Sequence, residues 1–543
     1  MSLWSGVSTT DILISLLWTA SIYTFLKALY NITLHPLSPF PGPRAWGASY
    51  IPRLIASITG NLEISIKRFH ETYGPVVRYS PSELSFTSSA AWKDIYGFHE
   101  NAPVKDPSFY GLIHLSRDKS HSIFTAGSEE HPRVRKALSY AFSERALRDQ
   151  ERFVSGYVDL LIQKLRELAA AAGGGARGSA KVDLVEWYNF TTFDIIGDLA
   201  IGQSFNCLAS STYHEWVHGF MSTIKLGAFV RAMAMCTHSA FPQLLRLLAP
   251  QSLKEARRKH LEFVGRSTEE RLAKGLENGS DKPDFISYLL KSNSKFKAEQ
   301  EPLSAGEVEA NTNFLLLAGT ETTATALSGT TYYLLKNRDA LRKATEEVRG
   351  AFQREDEISF VTAAERLPYM QACITEGLRI YPPGPIAPPR RTRKGTVTLI
   401  AGHAVPEDVS VGVHAWSASH SAENFHRASE FLPERWLPNT ATAGRESQSP
   451  FSNDQYAASQ PFSFGPRNCL GKPFAYNEMR LILARILWNF DMELSPESDG
   501  WERQKVYTLW DKGPLMVRLS VPADRGLVHV ADEMYNREEI HVA

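Results

Sequence analysis

Ten residues near the C-terminus, Phe462 to Gly471, read FSFGPRNCLG and surround Cys469 with groups suited to an anionic sulfur. A lone cysteine is by default a small buried hydrophobe. Here Met479, Ile482, Leu483, Ile486 and Leu487 recur at helical spacing, which predicts a helix from Lys472. Its N-terminus then lies beside Cys469, where the helix dipole and free backbone N–H groups favour a thiolate. Gly465 and Gly471 leave room for a flat group to approach the backbone. Phe462 can cover the sulfur, and Arg467 can pair with an acid group of a cofactor. Zinc fits poorly, because no second Cys or His lies at ligand spacing.

Two further stretches could do chemistry or support it. Ser304 to Glu307 forms a capping box and predicts the start of a long helix running to about Lys336. In its middle lies AGTETT, Ala318 to Thr323. Gly319 costs about 1 kcal/mol relative to Ala there, and the threonines can bond back to the backbone. A kink beside a small-molecule hole explains that cost; so does a tolerated Gly in a packed helix. A second helix is expected over Pro368 to Tyr381, opened by Pro and closed by Pro382 and Pro383. It places Glu376 and Arg379 three apart, a pair that carries little weight alone. FLPERW, Phe431 to Trp436, supplies Arg435.

FSFGPRNCLG resembles the haem-binding loop of the cytochrome P450 superfamily, Phe-x-x-Gly-x-Arg-x-Cys-x-Gly, at every defining position. The resemblance implies that Cys469 is the axial thiolate ligand of a haem b iron. Phe462, Gly465, Arg467 and Gly471 then complete the cofactor loop. AGTETT resembles the family's oxygen-binding groove: Ala318 and Gly319 line it, while Thr322 and Glu321 serve oxygen binding and proton delivery. Glu376, Arg379 and Arg435 match the family's buried structural network. EEHPRVRKALSYAF, Glu129 to Phe142, looks helical; alone, His131 and Arg135 read as a solvated basic face. By resemblance both reach a haem propionate, with His131 standing where the family often has Trp. PPGPIAPPRR runs extended; its register favours Arg390 as a further propionate partner, with Arg391 as the alternative.

The elements that must position these groups begin at the membrane. Ile12 to Tyr30 is apolar apart from Lys27 and long enough to span a bilayer if Lys27 snorkels. A cleaved signal peptide would need a basic n-region and a small-residue cleavage site, and neither is evident. Lys27, Arg44 and Arg53 follow the run and Asp11 precedes it, so the body is expected in the cytosol. HPLSPFPGPR, His35 to Arg44, excludes helix and predicts a stiff spacer. Val76 to Phe86, Val397 to Ile400 and Ser410 to Val413 read as strands. Asn101 to Ser128 is irregular and by resemblance covers the substrate pocket. Ala169 to Ala180 reads as a flexible surface loop, Asp183 to Leu208 as a helical core segment, and Tyr213 to Leu248 as core or membrane-facing surface. Tyr507 to Leu515 reads as a turn between strands and, by resemblance, a pocket wall.

The chain has 543 residues and no net charge, with 59 basic and 59 acidic side chains, so no nucleic-acid partner is expected. Four widely spaced cysteines suggest no disulfide framework and a reducing compartment. Asn31, Asn189 and Asn278 open glycosylation sequons expected to stay unmodified in the cytosol.

The expected fold is mainly α with a smaller β region, a P450 fold behind an N-terminal transmembrane helix. Its parts are a membrane anchor over 1–34, a Pro-rich hinge over 35–44, a haem-thiolate domain over 45–522 and a tail over 523–543. YNITLHPLSPFPGPR and TLWDKGP look most like fungal members of secondary metabolism, such as the trichothecene hydroxylases. The implied activity is monooxygenation, by hydroxylation or epoxidation, of an apolar small molecule. Electrons would come from NADPH through NADPH–cytochrome P450 reductase, docking near Lys472 and Arg133 at the endoplasmic reticulum membrane. The alternatives are a haem-thiolate isomerase or dehydratase, and a non-catalytic membrane protein of the same fold.

Overall fold

The structure is a computed structural model; it describes residues 8–111, 113–172, 178–214, 227, 229–230, 233, 251–275, 284–293, 301–438 and 449–522. Most of Tyr213 to Leu248, residues 173–177 of the low-complexity stretch, Asn278 and the tail 523–543 lie outside the described residues.

The N-terminal helix, Thr9–Thr33, opens on a capping box between Ser8 and Asp11. It is long and apolar enough to cross a membrane, and its large apolar side chains are exposed. Thr19, Ser21 and Thr24 donate to carbonyls four residues back, so these three hydroxyls are satisfied within the helix. At its base Asn31 Nδ2 donates to Ala48 O at 2.8 Å, and the Asn31 carbonyl accepts from Arg78 Nη1 at 2.8 Å. The Pro-rich segment forms neither helix nor strand as far as Pro43, Arg44 opening the short helix Arg44–Ala48, yet it is held against the body. Leu37 is fully buried, and the Arg78 N–H donates to Pro41 O at 2.7 Å. In two of the three sequons the asparagine is packed into the fold. Asn31 and Asn189 are buried, and Asn189 Nδ2 donates to Tyr213 Oη at 3.0 Å.

The β region follows the alternating segments. Val76–Ser80 and Glu83–Phe86 form an antiparallel hairpin. Glu83–Phe86 then pairs in parallel with Ser410–Val413, which pairs with Arg390–Arg391, and that with Val104–Lys105. A three-stranded sheet joins Ser179–Asp183, Met516–Ser520 and Asp491–Leu494. The C-terminal hairpin pairs Lys505–Tyr507 with Leu509–Asp511 through Thr508, which takes the left-handed conformation.

Two long helices make the centre. Leu184–Ile201 is buried on every side, as its lack of a polar stripe requires. It lies against the central helix, Ala305–Lys336, which opens on the expected capping box of Ser304 and Glu307. Gly319 permits that approach: a Cβ there would meet Ile196 Cδ1 at 2.5 Å. Packing against a neighbouring helix therefore supplies the reason for a mid-helix glycine.

Pro368–Ile380 carries the ion network. Arg379 donates to both Glu376 oxygens at 2.8 Å, and Arg435 Nε donates to Glu376 Oε1 at 3.1 Å. All three side chains are 0% exposed. Sequence reasoning missed the fourth member, Asp454, which pairs with Arg435 and brings the charges to balance. Burial pushes the Glu376 carboxyl up, but its hydrogen bonds and the two arginine charges outweigh that and hold it below the usual range.

Candidate active site

The helix Lys472–Asn489 starts where its apolar spacing predicts, with Gly471 as N-cap and a proline in its first turn. The Cys469 N–H donates to Phe462 O at 2.9 Å, which closes the loop below the sulfur. Cys469 is exposed towards open space but crowded by protein on its other sides. That crowding pushes its thiol up, while the backbone N–H groups of Gly471 and Lys472 and the charges of Arg135 and Lys472 pull it down. The net shift is upward, so the protein alone does not make the thiolate; a bound metal cation would.

The two loop glycines differ in purpose. Gly471 stands 4.0 Å from Cys469 Sγ, measured from an added Cβ, and so keeps space beside the sulfur. Gly465 has φ +76°, and a Cβ there would sit 2.0 Å from the Tyr96 carbonyl oxygen. A left-handed turn and a close backbone crossing, rather than room for a flat group, require it. Phe462 is half-buried, 5.2 Å from the Tyr476 ring, with the Lys472 ammonium over its face.

Around this loop four cations gather. Arg135 donates to the Asn468 carbonyl at 2.8 Å and to its side chain at 2.6 Å. Arg467 donates to Ala126 O at 3.0 Å and Gly127 O at 2.9 Å. Lys105 donates to Phe124 O at 2.5 Å and Ala126 O at 2.9 Å. Arg390 is buried, meets Tyr110 Oη at 3.2 Å and lies over the Tyr96 and Tyr110 rings. Among the described residues none of the four forms an ion pair with a carboxylate. Arg391, by contrast, is committed to Asp106 at 2.9 Å and Asp408 at 3.2 Å.

The cluster's cost shows in its titration. Burial, then the Arg467 and Arg390 charges, lowers Lys105 to about 6. Burial and Arg390 lower Arg467 to about 10. His131, buried on the helix His131–Ser139, is lowered to about 3 by burial and all four cations. It is therefore a neutral imidazole at physiological pH. Sequence reasoning placed Arg135, His131, Arg390 and Arg467 here and missed Lys105. Its signal was a lysine in the two-residue strand Val104–Lys105, directly opposite Arg390, legible only once that pairing is known.

The central helix completes the site. Phe314, Ala318 and Thr322 fall four apart on one face and are only half-buried, whereas most of the helix from Thr320 onward is buried. Two contacts tie this helix to the Cys loop and to the cations around it. Leu470 and Leu315 pack on one small cluster containing Val134, Leu138 and Val308. Phe124, whose carbonyl accepts from Lys105, stacks on Phe314 at 5.0 Å. Thr322 Oγ1 donates to Ala318 O at 2.6 Å, the back-bond its type and position predict.

Glu321 is 1% exposed and ion-paired to Lys512. A second acid unforeseen from sequence is Glu478, buried on Lys472–Asn489, where burial raises it to about 8 against a hydrogen bond from Thr323. It is thus a neutral acid at physiological pH; in sequence it reads as an ordinary charge on a helix.

The donor set tests which cofactor these residues fit. One thiol faces open space beside a helix N-terminus. Among the described residues the cations around it lack acid partners, and two carboxylates on a flat ring would supply them. The residues fit haem held through a thiolate. The family model described as Cytochrome P450 matches residues 40–517, and the chain belongs to the cytochrome P450 family.

The chain is 44% identical over 497 residues to trichothecene C-4 hydroxylase of Trichoderma arundinaceum, covering 91% of this chain and 94% of that relative. It is 42% identical over 499 residues to cytochrome P450 monooxygenase astJ of Aspergillus oryzae, covering 91% and 94%. It is 40% identical over 503 residues to cytochrome P450 monooxygenase efuB of Hormonema carpetanum, covering 93% and 95%. The chain is a cytochrome P450 monooxygenase. These relatives do not favour the isomerase and non-catalytic alternatives.

Proposed function

We propose that the protein hydroxylates or epoxidises an apolar small molecule as a tailoring step of secondary metabolism, with electrons from NADPH delivered by a membrane-bound flavin reductase. The exposed thiol of Cys469 inside a ring of unpaired cations carries the reading. The name of the trichothecene C-4 hydroxylase makes a compact, mostly apolar polycycle the first substrate class to try. The anchor helix and the basic residues after it support a single-pass position in the endoplasmic reticulum membrane, with the body in the cytosol.

Haem, when bound, supplies activation of O₂ and insertion of one oxygen atom into the substrate. The chain's own residues do the rest. Cys469 provides the thiolate, with the Gly471 and Lys472 N–H groups favouring its charge. Arg135, Arg390, Arg467 and Lys105 bind the acid groups, and neutral His131 offers a hydrogen bond without adding charge. Ala318 keeps the groove narrow. Thr322 holds its hydroxyl proton on Ala318 O and can turn it towards the groove, and Glu321 delivers protons through water. Reductase docks on the Cys-loop face around Lys472; Arg133 there is already paired with Glu307, which leaves Lys472 the freer charge.

Reduction of the purified full-length protein under carbon monoxide tests the centre. Wild type should show the strongly red-shifted Soret band of a thiolate-ligated haem, and Cys469→Ser should bind without it. The same red-shifted band from Cys469→Ser would refute the assignment of the ligand.

A further inference from the structure

Glu321 is held by a residue from the other end of the chain. Lys512 directly follows the C-terminal hairpin, and its ammonium pairs with Glu321 Oε1. It also donates to Thr325 Oγ1 at 2.6 Å, and Thr325 stands 3.4 Å from the same carboxylate oxygen. The lysine side chain is 4% exposed and the glutamate 1%. The second carboxylate oxygen, Oε2, is buried with no hydrogen-bond partner among the described residues. One such atom in a native interior calls for an explanation.

The hairpin that carries Lys512 is also a wall. Val506, Tyr507 and Thr508 line a cavity with Ile386, Ala387 and Pro389 of the extended segment. Trp510 fixes the hairpin to that segment: its Nε1–H donates to Pro382 O at 2.8 Å, and its ring stacks on Tyr381 at 4.5 Å. The acid's position is therefore set by the element that forms this wall.

We propose that Lys512 is a positioning residue for proton delivery, which holds Glu321 by one oxygen and leaves the other, Oε2, to bind the water that carries the proton. The inference rests on the proton-delivering role of Glu321. Without Lys512 the carboxylate is a lone buried charge, which takes up a proton or turns to another partner. The other titratable groups that feel its charge are Tyr213 and Tyr381, both held neutral by burial, so neither replaces the lysine.

Oxygen itself is the probe, so no substrate need be known. In the haem-loaded, reductase-supported protein, O₂ + NADPH + H⁺ gives H₂O₂ + NADP⁺. With full proton delivery, O₂ + 2 NADPH + 2 H⁺ gives 2 H₂O + 2 NADP⁺. The ratio of water to peroxide and its solvent deuterium dependence report proton delivery and not merely folding. Lys512→Met should lower the ratio by about 10-fold, less than the roughly 100-fold at the smaller end of what a general acid itself contributes, because the lysine acts through Glu321. Lys512→Arg should restore most of it. A second readout needs no turnover: the denaturation midpoint of Lys512→Met should fall at neutral pH and recover in acid, as the lone carboxyl takes a proton.

If Lys512→Met holds too little haem, Lys512→Met/Glu321→Gln is compared with Glu321→Gln alone, and the two should match. An unchanged ratio in Lys512→Met while Glu321→Gln lowers it overturns the role of Lys512 alone. An unchanged ratio in both overturns the role of Glu321 and the inference with it.

Discussion

Replacing Glu376 by Gln should be the most damaging single change outside the Cys loop. The carboxylate accepts two hydrogen bonds from Arg379, one from Arg435, one from the Leu432 N–H at 2.9 Å and one from Trp436 Nε1 at 2.8 Å. All five donors converge on one group with no access to water. An amide keeps the shape but offers one acceptor oxygen, and its NH₂ then faces donors. The two guanidiniums are left with Asp454 as the one acid in the network. Breaking a buried pair in this way costs about 3–5 kcal/mol, against about 5–15 kcal/mol for total domain stability.

Asp454→Asn is the internal control. Arg435 would keep Glu376 and the His426 carbonyl, so the loss should be about 1–3 kcal/mol. Denaturant unfolding of the haem-bound protein, read by the Soret band and by tryptophan fluorescence, measures both. The pH dependence has a fixed sign. The Glu376 carboxyl is held below 4.5 in the folded chain, so its contribution is present above that pH and is lost as pH falls below it. A Glu376→Gln protein within about 0.5 kcal/mol of wild type, the range of inert surface changes, would refute the reasoning. So would an Asp454→Asn protein that loses more.

Lys105, lowered from 10.5 to about 6, binds fewer protons folded than unfolded between those values, so the haem-free protein should gain stability as pH rises through that window. Lys105→Met should flatten that slope in denaturant titrations of the apoprotein; an identical slope would show that the lysine is not the strained cation. Arg78→Ala should loosen the anchor's base, since Arg78 donates to the carbonyls of Asn31, Ser80 and Pro81. Limited proteolysis should then cut within His35 to Arg44 faster than in wild type, and unchanged cutting would count against that brace. Glu478→Gln should be nearly neutral in stability at pH 7, because the acid is already protonated below about 8; a large loss in thermal unfolding would mean that it is buried as a charge.

Much of the fold and part of the site were legible in the sequence, and the dividing line is physical. Capping residues act within one turn, so Ser304 with Glu307 located the start of the central helix. Apolar spacing placed Lys472–Asn489 for the same local reason. Register also carried far: Arg390 turned into the cation cluster, and Arg391 turned out to two aspartates. What stayed hidden depends on partners distant in the chain. Asp454, Lys105, Glu478 and Lys512 each look like ordinary surface charges until the chain folds and removes their water. Gly319 and Gly465 were visible as anomalies, but their causes, Ile196 and the Tyr96 carbonyl, lie over a hundred residues away.

The two buried charge groups show how one chain treats the same problem in opposite ways. Around Glu376 the protein supplies both signs itself: two arginines meet a glutamate and an aspartate, and nothing further is required to hold them. Around Cys469 it supplies one sign. Arg135, Arg390, Arg467 and Lys105 lean on carbonyl oxygens and on aromatic faces; the Arg467 and Arg390 charges lower Lys105, Arg390 lowers Arg467, and all four lower His131. A fold selected for its own stability alone would place a carboxylate there or remove the cations. Leaving the negative charge to a bound group makes stability depend on that group, because whatever binds only the folded chain stabilises it by mass action. Haem should therefore raise the unfolding midpoint of wild type. It should raise that of a protein lacking Lys105 or Arg390 by less, because fewer cations are relieved. Equal gains in all three proteins would mean that the cluster is balanced by something other than the cofactor's acid groups.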